Sequence, residues 1–265
     1  MIQRLGGHSH FVRTDVSSYD SFAGAISGAL DLSTSVGNGT LPRLDYLINN
    51  AGIVSFSGGI ENETLETFER TMNVNVRGVY IGSKLAVEQM TKQDPLPLPA
   101  DLEEDLDTMP LPEDQHSQIT AEPALHSTYA QFDGEAAWTI GRKQEGDRGA
   151  RGSRGSIINI GSIHGLIGGP GEPAYAAAKG AVINFSRQCA TDNAWRRIQV
   201  NCVCPGYLQT AMTLNIPPEL TAQRPVLWPH MGTARDVAKS VVFLARDAPW
   251  VTGSTLVIDG GTTAR

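Results

Sequence analysis

Residues 156–179 read SIINIGSIHGLIGGPGEPAYAAAK, and the fold turns on them. The run 156–160 is a continuous apolar strand, of the kind that is buried on both faces. Residues 173–193 then carry the pattern of a helix. Strand followed by helix is a βα unit, and the same alternation continues outward in both directions. Downstream come a strand at 198–203, a helix from the N-cap candidate Thr233 to about residue 245, and a last strand at 255–258. Upstream, LDYLI at 44–48 is a buried strand ending at Asn49-Asn50-Ala51-Gly52, and 63–90 is one long helix or two in series. A weakly amphipathic helix at 19–32 and a short strand at 9–13 (SHFVR) precede them. Apolar strands alternating with helices predict an α/β fold, a parallel sheet covered on both faces.

Composition places limits on function. The chain has 265 residues, 40% of them apolar, which is enough for one sizeable core. Three cysteines cannot form a paired framework, and the first ten residues lack a signal-peptide pattern, so a reducing cytoplasm is the expected location. No stretch approaches 18 consecutive apolar residues, which excludes a spanning helix. The formal charge of −7 argues against nucleic acid as a partner. That charge is local. Residues 93–153 hold 13 acids against four bases and six of the 15 prolines, and end in GDRGARGSRG. Such composition buries too little apolar surface to offset chain entropy, so 93–153 is expected to be a disordered insertion splitting one domain, 1–92 with 154–265. An acidic docking arm is the alternative. The domain itself, with 15 acids and 17 bases, is close to neutral.

The strongest chemical signal is Tyr175-Ala-Ala-Ala-Lys179. Positions i and i+4 share a helix face, so the ammonium of Lys179 can sit beside the phenol of Tyr175 and favour its ionised form. A phenol with a pKa near ~10 is otherwise a poor acid or base at neutral pH. Ser162 lies 13 residues earlier, at the carboxyl end of the strand 156–160, where open α/β sheets place their ligands. Asn75, within Asn73-Val74-Asn75-Val76, falls inside the long helix and predicts either a local interruption or a water-binding role.

This set resembles the classical branch of the short-chain dehydrogenase/reductase family. The resemblance rests on Asp15-Val16, Asn49-Asn50-Ala51-Gly52, Asn75, Ser162, Tyr175 with Lys179, Pro205-Gly206 with Thr210, and Asp259-Gly260-Gly261, in that order, and covers nearly everything outside 93–153. It implies a Rossmann-like, doubly wound sheet and an oxidoreductase that uses NAD or NADP to interconvert a carbonyl and an alcohol. Tyr175 would be the general acid or base. Lys179 would lower its pKa and hold the nicotinamide ribose, Ser162 would polarise the substrate oxygen, and Asn75 would anchor a relay water. Asp15 and Val16 look like adenine contacts, Asn49, Ala51 and Gly52 like the wall beside the adenosine ribose, and Pro205, Gly206, Leu208 and Thr210 like the nicotinamide side. Family habit also implies a homo-oligomer.

The pattern breaks at its start. No G-x-G-x-x-G turn is found: Gly37-Asn-Gly39 is followed by Thr-Leu-Pro, and Gly149, Gly152 and Gly155 are wrongly spaced. Residues 1–7 resemble the end of the helix leading into the family's third strand. The first two strands are therefore expected to be absent, roughly 40 or more residues if a βαβ unit is ~30 or more. In the strand order 3-2-1-4-5-6 this leaves about three strand spacings, roughly 14 Å, between SHFVR and LDYLI. SHFVR is then either re-paired or loose, and an incomplete gene model is one explanation.

Other features carry less. Cys202-Val-Cys204 reads as core packing rather than a metal site. His164 is a wall of the substrate pocket or a turn residue, since Ile160-Gly-Ser-Ile-His164 does not match a hydrolase elbow. Residues 207–231 suggest cover for a small to medium, apolar ketone or alcohol, with specialised metabolism as a setting. A non-catalytic remnant that keeps Ser162, Tyr175 and Lys179 but cannot hold a dinucleotide is the rival reading.

Overall fold

Strands β1 (Tyr46–Asn49), β2 (Gly155–Ile160), β3 (Ile198–Pro205) and β4 (Thr255–Ile258) lie side by side in that order in a computed structural model of the chain. All three pairings are parallel, with Asn49 opposite Asn159, Ile160 opposite Val203 and Pro205 opposite Ile258. The structure describes residues 6–36, 41–96, 152–214 and 226–264. It divides into two compact units, Met1–Leu96 with Ser153–Arg265, and Pro97–Gly152. The four strands and the helices around them belong to the first unit. The disorder expected of the insertion falls outside the described residues.

Helix α1 (Tyr19–Val36) precedes β1. Between β1 and β2, α2 (Leu65–Met72) passes through a π-helical turn, Asn73–Arg77, into α3 (Gly78–Met90). Helix α4 (Pro173–Asn193) joins β2 to β3, and α5 (Ala234–Val242) with a second π-turn, Phe243–Asp247, leads to β4. The expected N-cap of α5 is in place: the Asp236 carboxylate accepts from Thr233 N and Oγ1 at 2.8 and 2.7 Å.

Side-chain alternation sorts the sheet into two faces. Ile157, Val200, Cys202 and Cys204 face α3 and α4, in clusters with Ala86, Met90, Val182, Ile183 and Cys189. Ile158 and Val203 face the other way, onto Leu244, Ala248, Val237 and Val241. Ile157, Ile158, Val200 and Val203 have no exposed surface, and each contributes about 1.5–3 kcal/mol by leaving water. The expected cover on both faces holds for β2 and β3 but not for β1. There Leu47 packs on the α3–α4 side while Tyr46 and Ile48, pointing the other way, stay 47% and 41% exposed.

Two expectations are corrected. Residues 9–13 form no strand, and Phe11 is 86% exposed. A strand needs a ladder, and β1, the edge of the sheet, is not paired with them. The segment lies instead on α1, where a Cβ at Gly28 would stand 3.1 Å from Val12 and 3.7 Å from His10. The insertion boundary also moves. Gln93, placed by composition at the head of the insertion, is buried: its Oε1 accepts from Leu44 N at 2.7 Å, and its Nε2 donates to Leu44 O and Arg154 O at 3.2 and 2.9 Å. Leu96 N donates to Ser153 O at 2.9 Å, so the chain leaves and returns at one point.

Gln93 thus joins the end of α3 to the starts of β1 and β2. Replacing it by Leu strands these backbone groups, and Gln93→Leu is expected to lower the unfolding free energy by about 1–3 kcal/mol in urea denaturation. An unchanged midpoint would show that water replaces the amide without cost.

Candidate active site

The parallel strands deliver Asn49, Ile160 and Pro205 to one edge of the sheet, and the residues singled out for chemistry gather there. Ser162 follows β2 and is 7% exposed; its Oγ accepts from His164 N at 3.1 Å, capping a short 3₁₀ turn, Ile163–Gly165. Tyr175 lies in the first turn of α4, whose Pro173 suits a helix start. Lys179, one turn on and 5% exposed, sets its Nζ 5.6 Å from the Tyr175 ring centre and donates to Ile160 O at 2.7 Å. Serine, phenol and ammonium are therefore brought together.

Their closeness depends on a contact between backbones. A Cβ on Gly165 would fall 2.6 Å from the carbonyl carbon of Lys179 and 2.8 Å from Gly180 N, and a Cβ on Gly180 would face Gly165 O at 3.6 Å. Two glycines let the turn after Ser162 touch α4 where Lys179 sits.

The electrostatics depart from the expectation. Burial raises the Tyr175 pKa above its ordinary value, with the hydrogen bond from Ser162 working the other way, and Lys179 is not among the causes. Burial also pulls Lys179 down to about 8. Desolvation outweighs the pairing read from the i,i+4 spacing.

Asn75 has no exposed surface and sits in the π-turn, the interruption foreseen for it. Both ends of its amide are engaged by one residue: Oδ1 accepts from Ile53 N and Nδ2 donates to Ile53 O, each at 2.8 Å. A Cβ at Gly52 would stand 3.3 Å from Asn75 Oδ1 and 3.6 Å from Lys179 Nζ, so Gly52 keeps the space beside the ammonium open.

The residues expected to hold a dinucleotide divide. Val16, Asn49 and Ala51 line one small cavity of ≈ 50 Å³ with Phe22 and Gly78. The Asn49 side chain, however, turns inward: Nδ2 donates to Asn159 Oδ1 at 2.8 Å and Ser83 Oγ at 3.2 Å, and Asn159 Nδ2 donates to Ser186 Oγ at 2.9 Å. Its amide ties β1 to β2 and α3, and through Asn159 to α4. Asp15 is spent on its own turn, accepting from Ser17 N and Oγ at 2.9 and 2.7 Å, which holds its carboxyl below the usual range. Gly206 lies against Asp259, where a Cβ would come within 2.6 Å. Leu208 pairs with Gly232, and Thr210 N donates to Thr213 Oγ1 at 2.9 Å, which brings the chain back after β3. Residues 215–225 of the expected substrate cover lie outside the described residues. The space beside Gly52 and the buried ammonium suit the ribose of a nicotinamide nucleotide, whereas the ≈ 50 Å³ hollow at Val16, Asn49 and Ala51 is too small to enclose an adenosine and would offer it only a wall. A pyrophosphate cradle is not found among the described residues. In the glycine-rich turn Gly165 to Gly171, Gly165 lies against the backbone of Lys179, Gly169 against the His164 ring and Gly171 against Phe56, and the helix after it is already capped by Glu63.

That cap has no counterpart in the sequence pattern. Glu63 Oε2 accepts from Ala174 N at 3.0 Å and Oε1 from Ser55 Oγ at 3.2 Å, placing a carboxylate at the positive end of α4. Nor does the pair of His164 Nδ1 with Glu172 Oε2 at 2.6 Å. Cys202 and Cys204 fill the core beneath Gly161, their sulfurs 3.9 Å apart. Among the described residues no group of three or more His, Cys, Asp or Glu could hold a metal, and no helix is long and apolar enough to cross a membrane.

A parallel sheet whose carboxyl edge carries a serine, a phenol and a buried ammonium is the architecture of an α/β oxidoreductase. Residues 1–95 match the family model of short chain dehydrogenases, and residues 143–263 that of enoyl-(acyl carrier protein) reductase. Cyclopentanol dehydrogenase of Comamonas sp. (strain NCIMB 9872) is 31% identical over 99% of this chain and 80% of its own length. The 2-(S)-hydroxypropyl-CoM dehydrogenase 3 of Xanthobacter autotrophicus is 29% identical over 92% and 76%. A solved structure, ElxO with NADP bound, superposes with a TM-score of 0.65 at 25% identity, covering 97% of this chain and 79% of that one. The chain belongs to the short-chain dehydrogenase/reductase family. It is an NAD(P)-dependent oxidoreductase that interconverts carbonyl and alcohol groups.

Lys179 gives a linkage test. Its folded-state pKa is depressed, so between about pH 8 and the ordinary 10.5 the unfolded chain holds more protons and stability rises with pH. The wild-type unfolding free energy minus that of Lys179→Met is expected to climb by about 1–3 kcal/mol across that window. A flat difference would mean that the ammonium is solvated.

Proposed function

We propose that the chain reduces a small to medium ketone, or oxidises the matching secondary alcohol, with Ser162, Tyr175 and Lys179 as its working residues. The observation that carries this reading is the phenol of Tyr175 beside Ser162 and one helical turn from a buried ammonium. The bound nicotinamide supplies or takes the hydride. Tyr175, whose raised pKa keeps it protonated at neutral pH, passes its proton to the substrate oxygen on reduction and takes it back on oxidation. Ser162 Oγ holds that oxygen. Lys179 would hold the ribose of the bound cofactor and, when charged, stabilises the phenolate left behind. Asn75 acts by position, fixing the backbone of Ile53 beside Gly52.

On the cofactor, Val16, Ala51, Gly52 and the backbone at Asn49 would receive the adenosine portion, with Asp15 at its border. Pro205, Gly206, Leu208 and Thr210 would receive the nicotinamide. NAD and NADP both remain within this reading. A cavity of ≈ 340 Å³ next to Gly52, lined by Ile53, Val54, Ser55, Thr67, Arg70 and Thr71, gives room at this edge. The name of the Comamonas relative supports an alicyclic secondary alcohol as the substrate type. Exposed Trp250, Val242 and Phe243 support a homo-oligomer.

Two measurements test this. Calorimetric titration with NADH and NADPH is expected to give micromolar binding of one of them, and no detectable heat from either would favour a non-catalytic remnant. Where turnover of cyclopentanol is found, Tyr175→Phe is expected to lower kcat/KM by about 10²–10⁴-fold with dinucleotide binding retained.

A further inference from the structure

We propose that His164, locked by Glu172 and joined to Tyr207, is a second polar anchor for the substrate. It selects alcohols and ketones that carry a second, neutral oxygen beside the reacting one, as a vicinal diol does, and disfavours carboxylates. This rests on the reading of Ser162 and Tyr175 as the groups that take the reacting oxygen.

The placement is specific. His164 stands two residues after Ser162 and donates its backbone N–H to the Ser162 hydroxyl. Its ring meets the Tyr175 ring edge-on, with centres 6.3 Å apart at 90°, and the Tyr207 ring at 5.8 Å and 74°. Tyr207 follows Pro205-Gly206 at the end of β3, so the imidazole joins the ends of two neighbouring strands over which a substrate must lie. Nδ1 faces Glu172 Oε2 at 2.6 Å, which makes Nδ1 the protonated nitrogen and fixes the ring. Nε2 is thereby aimed the other way, 3.3 Å from the Tyr207 hydroxyl. That is long for a hydrogen bond to a hydroxyl, and a substrate oxygen can compete for it.

The surroundings are built around the ring. A Cβ on Gly169 would fall 2.7 Å from two of its atoms, so the loop leaves room for an imidazole and for nothing more. The side chains of His164 and Glu172 are only 10% and 8% exposed. Taking two ionisable groups out of water costs stability that an apolar pocket wall would not. Their pairing also sets the ligand. With Nδ1–H turned to Glu172, no net positive charge is offered here to a carboxylate, whereas Nε2 can accept from a hydroxyl and the Tyr207 hydroxyl can donate to a carbonyl.

The test uses one ring with three neighbours: cyclopentanol, cyclopentane-1,2-diol and 2-hydroxycyclopentanecarboxylate. In the cofactor-free full chain labelled with ¹⁵N-histidine, the His164 ring resonances, assigned by their loss in His164→Phe, should move with the diol and stay with the other two. In turnover, the diol-to-cyclopentanol ratio of kcat/KM should fall about tenfold in Tyr207→Phe, which keeps the ring and its packing. The same ratio should fall in Glu172→Gln. Equal movement of the His164 signals with all three compounds, no movement with any, or an unchanged ratio in both variants would overturn the proposal. Selective movement without turnover of any compound would sustain the anchor and sink the carbonyl-alcohol reading.

Discussion

The close approach of Gly165 to the backbone of Lys179 and Gly180 is the contact on which the rest of the site depends. It docks the first turns of α4 onto the end of β2 with no side chain between them. Ser162, three residues before Gly165, then meets Tyr175, and the Lys179 ammonium reaches the carbonyl of Ile160. Any β-carbon at 165 would push helix and strand apart by more than the tolerance of a hydrogen bond. The other supports converge on the same joint. Glu63 caps α4 from a distant loop, Ser57 N donates to Gly171 O at 2.9 Å, and Cys202 with Cys204 fills the space under Gly161.

How much of this is legible in the sequence depends on the range of each interaction. The helix α4 and strand β4 lie where their composition says, because a proline start and the β-favouring run Thr-Leu-Val-Ile are local signals. Tyr175 and Lys179 are legible for the same reason, being one turn apart. Gln93 is misplaced by composition, which averages over a window, whereas its three hydrogen bonds reach Leu44 and Arg154. Residues 9–13 hold Phe11 and Val12, which favour strands, but pairing is decided by a neighbour that local sequence does not specify. Glu63 lies 111 residues from the amide it caps, and no periodicity links them.

Burial changes the sense of the Tyr–Lys pair. The i,i+4 spacing alone suggests an ammonium that lowers a phenol's pKa, yet desolvation raises Tyr175 and lowers Lys179 to about 8. Each group is held toward its neutral form. A pair in that state costs stability, and it responds strongly to any charge that enters the cleft, since a low-dielectric site magnifies electrostatic change.

The same division runs through the whole cleft. The groups that would handle the substrate oxygen stand on β2, α4 and the end of β3, where the sheet is covered on both faces and Ile158, Val200 and Val203 are wholly buried. Those suited to the adenosine portion, Val16, Asn49 and Ala51, stand at β1, an edge strand covered on one face with Tyr46 and Ile48 in solvent. Asn49 is the exception that ties the two, since its amide bridges to Asn159 and through it to Ser186 of α4. Local openings are cheapest where buried apolar contacts are fewest. Fluctuation at β1 would therefore weaken the hold on a dinucleotide while leaving Ser162, Tyr175 and Lys179 in register, and the buried chain from Asn49 to Ser186 adds to the β1–β2 ladder a side-chain tie from the edge to the centre.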